Sequence, residues 1–182
     1  RKIMEDQMFL DCFGCDIDYS LGKNFADFAD QFSKDSRYRT ELYKLRRKFM
    51  SHADGLIHAD LHTSNIMASR DKMKVIDMEF AFMGPFGYDL GYLVGNLISQ
   101  YCAACFKRFP SEQSRKQFKA YLLATIKSLI ETYMKAFTLC WEKSVKERYR
   151  GQQGLLQSIL QEVMEDVPGY ASMVNWFRSV SE

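Results

Sequence analysis

The helical pattern of this 182-residue sequence gives way to a strand-like one between Gly55 and Gly87, and that break limits the possible folds more than any other feature. Upstream of it, Phe25, Phe28, Ala29 and Phe32 recur at i, i+3, i+4 and i+7, the spacing of one helix face. Leu42, Leu45 and Phe49 resume that period after an interruption at Ser33–Ser36, and Gly55 is the expected stop. The texture then changes. Leu56-Ile57, Ile66-Met67 and the run from Met73 to Ile76 are short and apolar, with the polar turn Ser69-Arg70-Asp71-Lys72 among them. Such runs predict a small β-hairpin lying between residues 56 and 78. Gly84-Pro85-Phe86-Gly87 predicts a loop.

From Tyr88 onward the pattern is helical again. Gly87, Gly91 and Gly95 fall every four residues, which either offers a smooth stripe for close packing or merely weakens the helix. Ser111, after Pro110, is an expected N-cap. Phe118, Tyr121, Leu122, Ile126, Leu129, Ile130, Tyr133 and Met134 follow at helical spacing. Leu155, Leu156, Ile159, Leu160 and Val163 make a further amphipathic segment. Pro168-Gly169 is expected to break it, with a last helix from about Ala171. The expected fold class is therefore mainly α with a small β-hairpin (α+β).

Charge and cysteine content narrow the classes of function. Lys plus Arg is 25 and Asp plus Glu is 23, so a net charge of +2 gives no basic footprint for nucleic acid or an anionic membrane. Leu90 to Phe106 is the most membrane-like stretch, but Asn96, Ser99 and Gln100 interrupt it and a buried helix is expected. Five cysteines include two C-x-x-C pairs, Cys12/Cys15 and Cys102/Cys105. Free thiols in a reducing cytoplasm, with Cys102 and Cys105 buried in an apolar helix, are the expectation. A zinc-stabilised helical interaction domain built on both pairs is the alternative.

The chemistry concentrates in the break. All three histidines lie within eleven residues, at 52, 58 and 62. His58-Ala59-Asp60-Leu61-His62 follows the apolar Leu56-Ile57; Asn65 comes five residues after Asp60, and Asp77 and Glu79 follow Val75-Ile76. A hairpin would fold Asp77 back toward Asn65 and set a carboxylate beside an amide oxygen, a hard-oxygen pair suited to Mg²⁺. Phosphoryl transfer needs a carboxylate to orient a substrate hydroxyl, and an Asn with an acid to hold Mg²⁺ on the phosphates. The pattern H-x-D-x-x-x-x-N followed by D-x-E meets that requirement. His58 is expected to be structural, tying this loop to neighbouring backbone, and His62 to be a satisfied loop residue.

These residues resemble a known family. LIHADLHTSNIM is similar to the catalytic loop of the aminoglycoside phosphotransferase and choline kinase superfamily. VIDMEFAFMGPFGYDLGYLVGNLISQY resembles more narrowly the methylthioribose kinase family, in which D-x-E replaces the D-F-G of protein kinases. The resemblance implies a protein-kinase-like fold, use of ATP and Mg²⁺, and phosphorylation of the 1-hydroxyl of 5-methylthioribose in methionine salvage. It implies a cytoplasmic homodimer. It makes Asp60 the catalytic base facing the sugar hydroxyl, and Asp77 and Glu79 ligands of metal and nucleotide phosphate, with Met78 between them in the cofactor-binding segment. Asn65 would be the second metal ligand and Asp89 a brace for the catalytic loop, although Asp89 also suits a helix N-cap. Many members carry Ser at the position of Asn65 and Pro at that of Met78. Of an Arg pair that helps bind the sugar, this sequence keeps at most Arg178.

No G-x-G-x-x-G and no strand with a phosphate-binding Lys precedes the loop. Residues 1–182 are thus expected to be a C-terminal catalytic and substrate lobe, with the N-terminal nucleotide-binding lobe absent from this chain, and to be inactive alone. A catalytically dead kinase-like binding module, or a kinase for choline or an aminoglycoside, stands as the alternative.

Overall fold

Asp35 opens the first long helix. At extended backbone dihedrals its carboxylate accepts from the N–H groups of Arg37 and Tyr38, at 2.8 and 2.9 Å, and so satisfies two donors that a helix start leaves unpaired. The computed structural model describes residues 1–10, 27 and 30–181, with side chains up to Phe177. Most of the expected helical period over Phe25–Phe32, and the Cys12/Cys15 pair, lie outside the described residues. Phe32 itself rests against Tyr38 and Trp176.

The elements in order are α1 (Lys2–Glu5), running into one π-helical turn at Asp6–Leu10, α2 (Ser36–Ser51), β1 (Gly55–Ile57), β2 (Ile66–Ala68), β3 (Met73–Val75), β4 (Phe82–Gly84), α3 (Gly87–Ala103), α4 (Glu112–Ser144) and α5 (Gln153–Ser181). The fold is the mainly helical, kinase-like lobe that the sequence predicts. The chain divides into two compact units, Arg1–Asn96 with Asp166–Glu182, and Leu97–Glu165.

The first unit has an aromatic core. Phe49 sits 5.2 Å from Phe9, 5.1 Å from Phe82 and 4.8 Å from Tyr88, ring centre to ring centre. Ile57, Tyr92, Tyr170, Met173 and Val174 complete it. The guanidinium of Arg1 lies over the Phe82 ring and donates to the carbonyls of Met50 and His52, so it satisfies acceptors left free where α2 ends.

The predicted hairpin is present. Strands β2 and β3 pair antiparallel with Ile66 opposite Val75 and Ala68 opposite Met73, and Ser69 N–H donates to Lys72 O across the turn. Two corrections follow. Gly55 does not stop a helix; α2 already ends at Ser51, and Gly55 opens β1. Leu56-Ile57 pairs with Phe82-Met83 in a second antiparallel pair, β1 with β4. Three-residue strands carry too little period to be told from loop, so the Phe82–Gly84 strand has no local signature.

Gly91 and Gly95 form the smooth stripe. A Cβ at Gly91 would meet Tyr170 and Val167, and one at Gly95 would lie 2.7 Å from Ala171 O. The same contacts explain a third correction. Pro168 does not break α5, which runs on through it from Gln153 to Ser181. Proline costs a backbone hydrogen bond, but the turn that contains it is pressed against α3 through Val167, Tyr170 and Ala171, and packing overrides the local preference. The end of the apolar helix differs as well. α3 is buried from Leu90 to Leu97, yet Cys102, in its last turn, and Cys105, beyond its end at Ala103, are exposed.

In the second unit, Ser111 caps α4 as predicted, its Oγ accepting from Ser114 N–H at 3.1 Å. Lys119 lies over the Tyr101 ring and donates to Cys105 Sγ. Among the described residues no helix is long and apolar enough to cross a membrane.

Candidate active site

The loop that follows β1 is built around backbone groups that no sheet or helix uses. Ala59 takes a positive φ of 69°, which a residue with a Cβ adopts only when its surroundings impose it. Asp89 imposes it. Its carboxylate accepts from His58 N–H at 2.6 Å and from Ala59 N–H at 2.9 Å, so it braces the loop rather than capping its own helix. Burial raises the Asp89 pKa above its ordinary value, and the two N–H groups pull against that rise.

His58 is the second fastening. Its Nε2 lies 2.8 Å from Ile76 O, and a carbonyl only accepts, so Nε2 carries the proton. Nδ1 is then free to accept from Asp60 N–H at 3.3 Å. His58 is buried, and this is the structural tie that its position after β1 predicts. Beyond Asp60 the chain turns tightly. His62 N–H and Asn65 Nδ2 both donate to Asp60 O, at 3.0 and 3.1 Å, and Asn65 N–H donates to His62 O.

Asn65 and Asp77 flank the open end of the β2–β3 hairpin, where Ile76 N–H donates to Asn65 O at 3.0 Å. Asp77 takes the left-handed conformation, φ 64°, and with Met78 and Glu79 it is exposed. Among the described residues, neither the Asp77 nor the Glu79 carboxylate is paired, and Asn65 Oδ1 takes no hydrogen bond. No three His, Cys, Asp or Glu side chains gather into a metal site among the described residues. Mg²⁺ needs less from the protein than that, one or two oxygens beside phosphates and waters. The free Asn65 amide oxygen and the Asp77 carboxylate are donors of that kind, so the residues present fit the ion.

Asp60 is held from both sides. Tyr92 donates to Oδ1 at 2.8 Å, and His62 Nε2 lies 3.4 Å from Oδ2. His62 is thus a loop residue with a partner, as expected, and the partner is Asp60. Further along, Asn96 Oδ1 accepts from Thr63 N–H at 3.1 Å and from Thr63 Oγ at 2.7 Å. Sequence reasoning treats Asn96 only as an interruption and passes over Tyr92. The available signal is that Asp89, Tyr92 and Asn96 stand at i, i+3 and i+7 in an otherwise apolar helix. The Arg178 side chain lies outside the described ones. Asp166 is buried and paired with Lys48 at 2.6 Å.

Comparison with known proteins adds an independent line. Residues 18–131 match the profile described as the phosphotransferase enzyme family. The methylthioribose kinase of Geobacillus thermodenitrificans is 36% identical over 174 residues, 93% of this chain and 40% of that protein. That of Exiguobacterium sibiricum is 32% identical over 142 residues, 78% of this chain and 34% of that protein. That of Bacillus cereus strain ATCC 10987 is 33% identical over 172 residues, covering 93% and 41%. The chain spans about two fifths of the length of the first curated relatives it matches.

Proposed function

Since the chain belongs to the phosphotransferase enzyme family, we propose that residues 1–182 are the catalytic and substrate-binding lobe of an ATP-dependent small-molecule kinase. The observation that carries this reading is the fastening of two loops. His58 to Ile76 and Ile76 to Asn65 tie the Asp60 loop to the residue before Asp77, which supports reading the two as parts of one site. Phosphoryl transfer asks a protein mainly for such positioning.

In this reading Asp60 orients the acceptor hydroxyl and takes its proton as the oxygen attacks the γ-phosphorus. The bond to the β–γ bridging oxygen breaks and ADP leaves. Asn65, Asp77 and Glu79 would hold Mg²⁺ on the nucleotide, with Met78 beside them; the ion would offset charge on the transferring phosphoryl group. The substrate we favour is the 1-hydroxyl of 5-methylthioribose, on the strength of the relatives' names, with Arg178 as a sugar contact. A nucleotide-covering lobe would come from a segment outside residues 1–182. Met73 and Val75 share one face of the β2–β3 hairpin and are exposed, and such a lobe would cover them. A cytoplasmic homodimer in methionine salvage completes the proposal.

The test is ATP-dependent phosphorylation by the full-length protein, with methylthioribose, choline and an aminoglycoside offered in parallel. Methylthioribose should be phosphorylated and Asp60→Asn should abolish the activity. Turnover of another alcohol alone would move the substrate assignment. Absence of turnover, with no Mg²⁺-dependent ATP binding, would defeat the reading.

A further inference from the structure

Helix α3 turns one polar stripe toward the loop, and its three members do different work. Asp89 takes the backbone N–H groups of His58 and Ala59, and Asn96 takes Thr63. Tyr92 is the member that reaches the carboxylate of Asp60. We infer that Tyr92 is a positioning residue for the transfer reaction, its phenol locking the Asp60 carboxylate so that one chosen oxygen meets the acceptor hydroxyl. The inference rests on the function proposed above and adds a residue to it.

The physical argument starts from the freedom of an aspartate. A half-buried carboxylate turns about its Cβ–Cγ bond through a broad, two-fold well, and its two oxygens are interchangeable until something distinguishes them. The Tyr92 O–H at 2.8 Å from Oδ1 distinguishes them. It gives Oδ1 the shorter contact, so Oδ2, whose contact with His62 Nε2 is 3.4 Å, is the more available oxygen for a proton. Tyr92 cannot easily swing away. It is buried, and its ring lies 5.9 Å from that of Tyr88, which is itself wedged between Phe49 and Tyr170. The oxygen is thus fixed by a side chain anchored in the aromatic core rather than by the loop alone. A preset base avoids paying orientation entropy at each turnover.

The experiment uses the full-length protein with ATP and methylthioribose, choline or an aminoglycoside, whichever is turned over. Tyr92→Phe keeps the ring in the core and removes only the donor. It is expected to lower kcat about tenfold and to leave both KM values within about twofold. An unchanged kcat, or a change confined to KM, would overturn the inference. A second readout does not depend on turnover. Thermal unfolding is compared for Tyr92→Phe, Asp60→Ala and the double variant. Tyr92→Phe should lower Tm in the parent and leave it unmoved in the Asp60→Ala background, and additive shifts would overturn the proposal. If the parent phosphorylates none of the three substrates, the proposed function falls. The unfolding cycle then decides by itself whether Tyr92 holds Asp60.

Discussion

The two halves of the candidate site are built to different specifications. The Asp60 loop is pinned at nearly every residue from His58 to Asn65, by Asp89, Tyr92, Asn96 and its own backbone. The Asp77–Glu79 turn is fastened only through its neighbours. Ile76 is held by Asn65 and His58, and Ala81 N–H donates to Met78 O, while both carboxylates stand exposed. The first half has its geometry before any ligand arrives. The second presents unpaired oxygens on an exposed turn, the arrangement expected where charge is to be met by a cation rather than by protein. In the proposed function, preorganisation would serve the residue that takes a proton, and exposure those that meet an ion.

That contrast can be broken by experiment. The largest effects should come from Asp60→Asn and Asp77→Asn, each lowering kcat of the full-length protein by a factor on the order of 10² or more. The contrast itself is read in unfolding. Asp77→Asn should leave Tm unchanged in the absence of ligand, because that carboxylate is exposed and unpaired. A large Tm loss for Asp77→Asn would show that the turn is as tightly built as the loop.

Asp89→Ala comes next. It strands two backbone N–H groups that the half-buried carboxylate now satisfies, and should cost about 3 kcal/mol in denaturant unfolding. Asp89 also gives the loop a pH signature. Its pKa is raised in the fold by burial, so the native state keeps this proton to higher pH than the unfolded chain does. Its contribution is full below the ordinary carboxylate range and is lost as pH rises through the raised value. Asp89→Asn should flatten that decline when midpoints are compared from about pH 4 upward. An unaltered slope would remove Asp89 as its source.

Gly95→Ala is expected to cost about 1–3 kcal/mol, since the new methyl would press on Ala171 O, a backbone atom that cannot step aside. Circular dichroism melts of Gly95→Ala beside Gly154→Ala, whose Cβ would meet nothing, separate the packing cost from helix propensity. The smallest effect belongs to Tyr88→Phe. The Tyr88 hydroxyl is buried with no hydrogen-bond partner among the described residues, and burial raises its pKa well above the ordinary value. Removing it should leave stability unchanged or raise it by up to about 1 kcal/mol. A loss of stability would mean that the hydroxyl has a partner, such as a buried water.

Much of this was legible in the sequence. The helix periods from Tyr88 onward, the Ser111 cap and the β2–β3 hairpin all rest on contacts between residues close along the chain. Spacing encodes such contacts, because helix and strand periods decide which side chains share a face. The tertiary structure decided the rest. It paired β1 with β4, carried α5 through Pro168 and left Cys102 and Cys105 exposed. It also brought Asp89, Tyr92 and Asn96 onto a loop about thirty residues earlier in the chain. The physical reason is common to all of these. A tyrosine in an apolar helix looks like core until its hydroxyl is seen to meet a carboxylate, and a proline looks like a stop until packing outweighs its missing hydrogen bond. Local pattern grouped the candidate residues along the chain, and long-range packing set a buried phenol on one oxygen of Asp60.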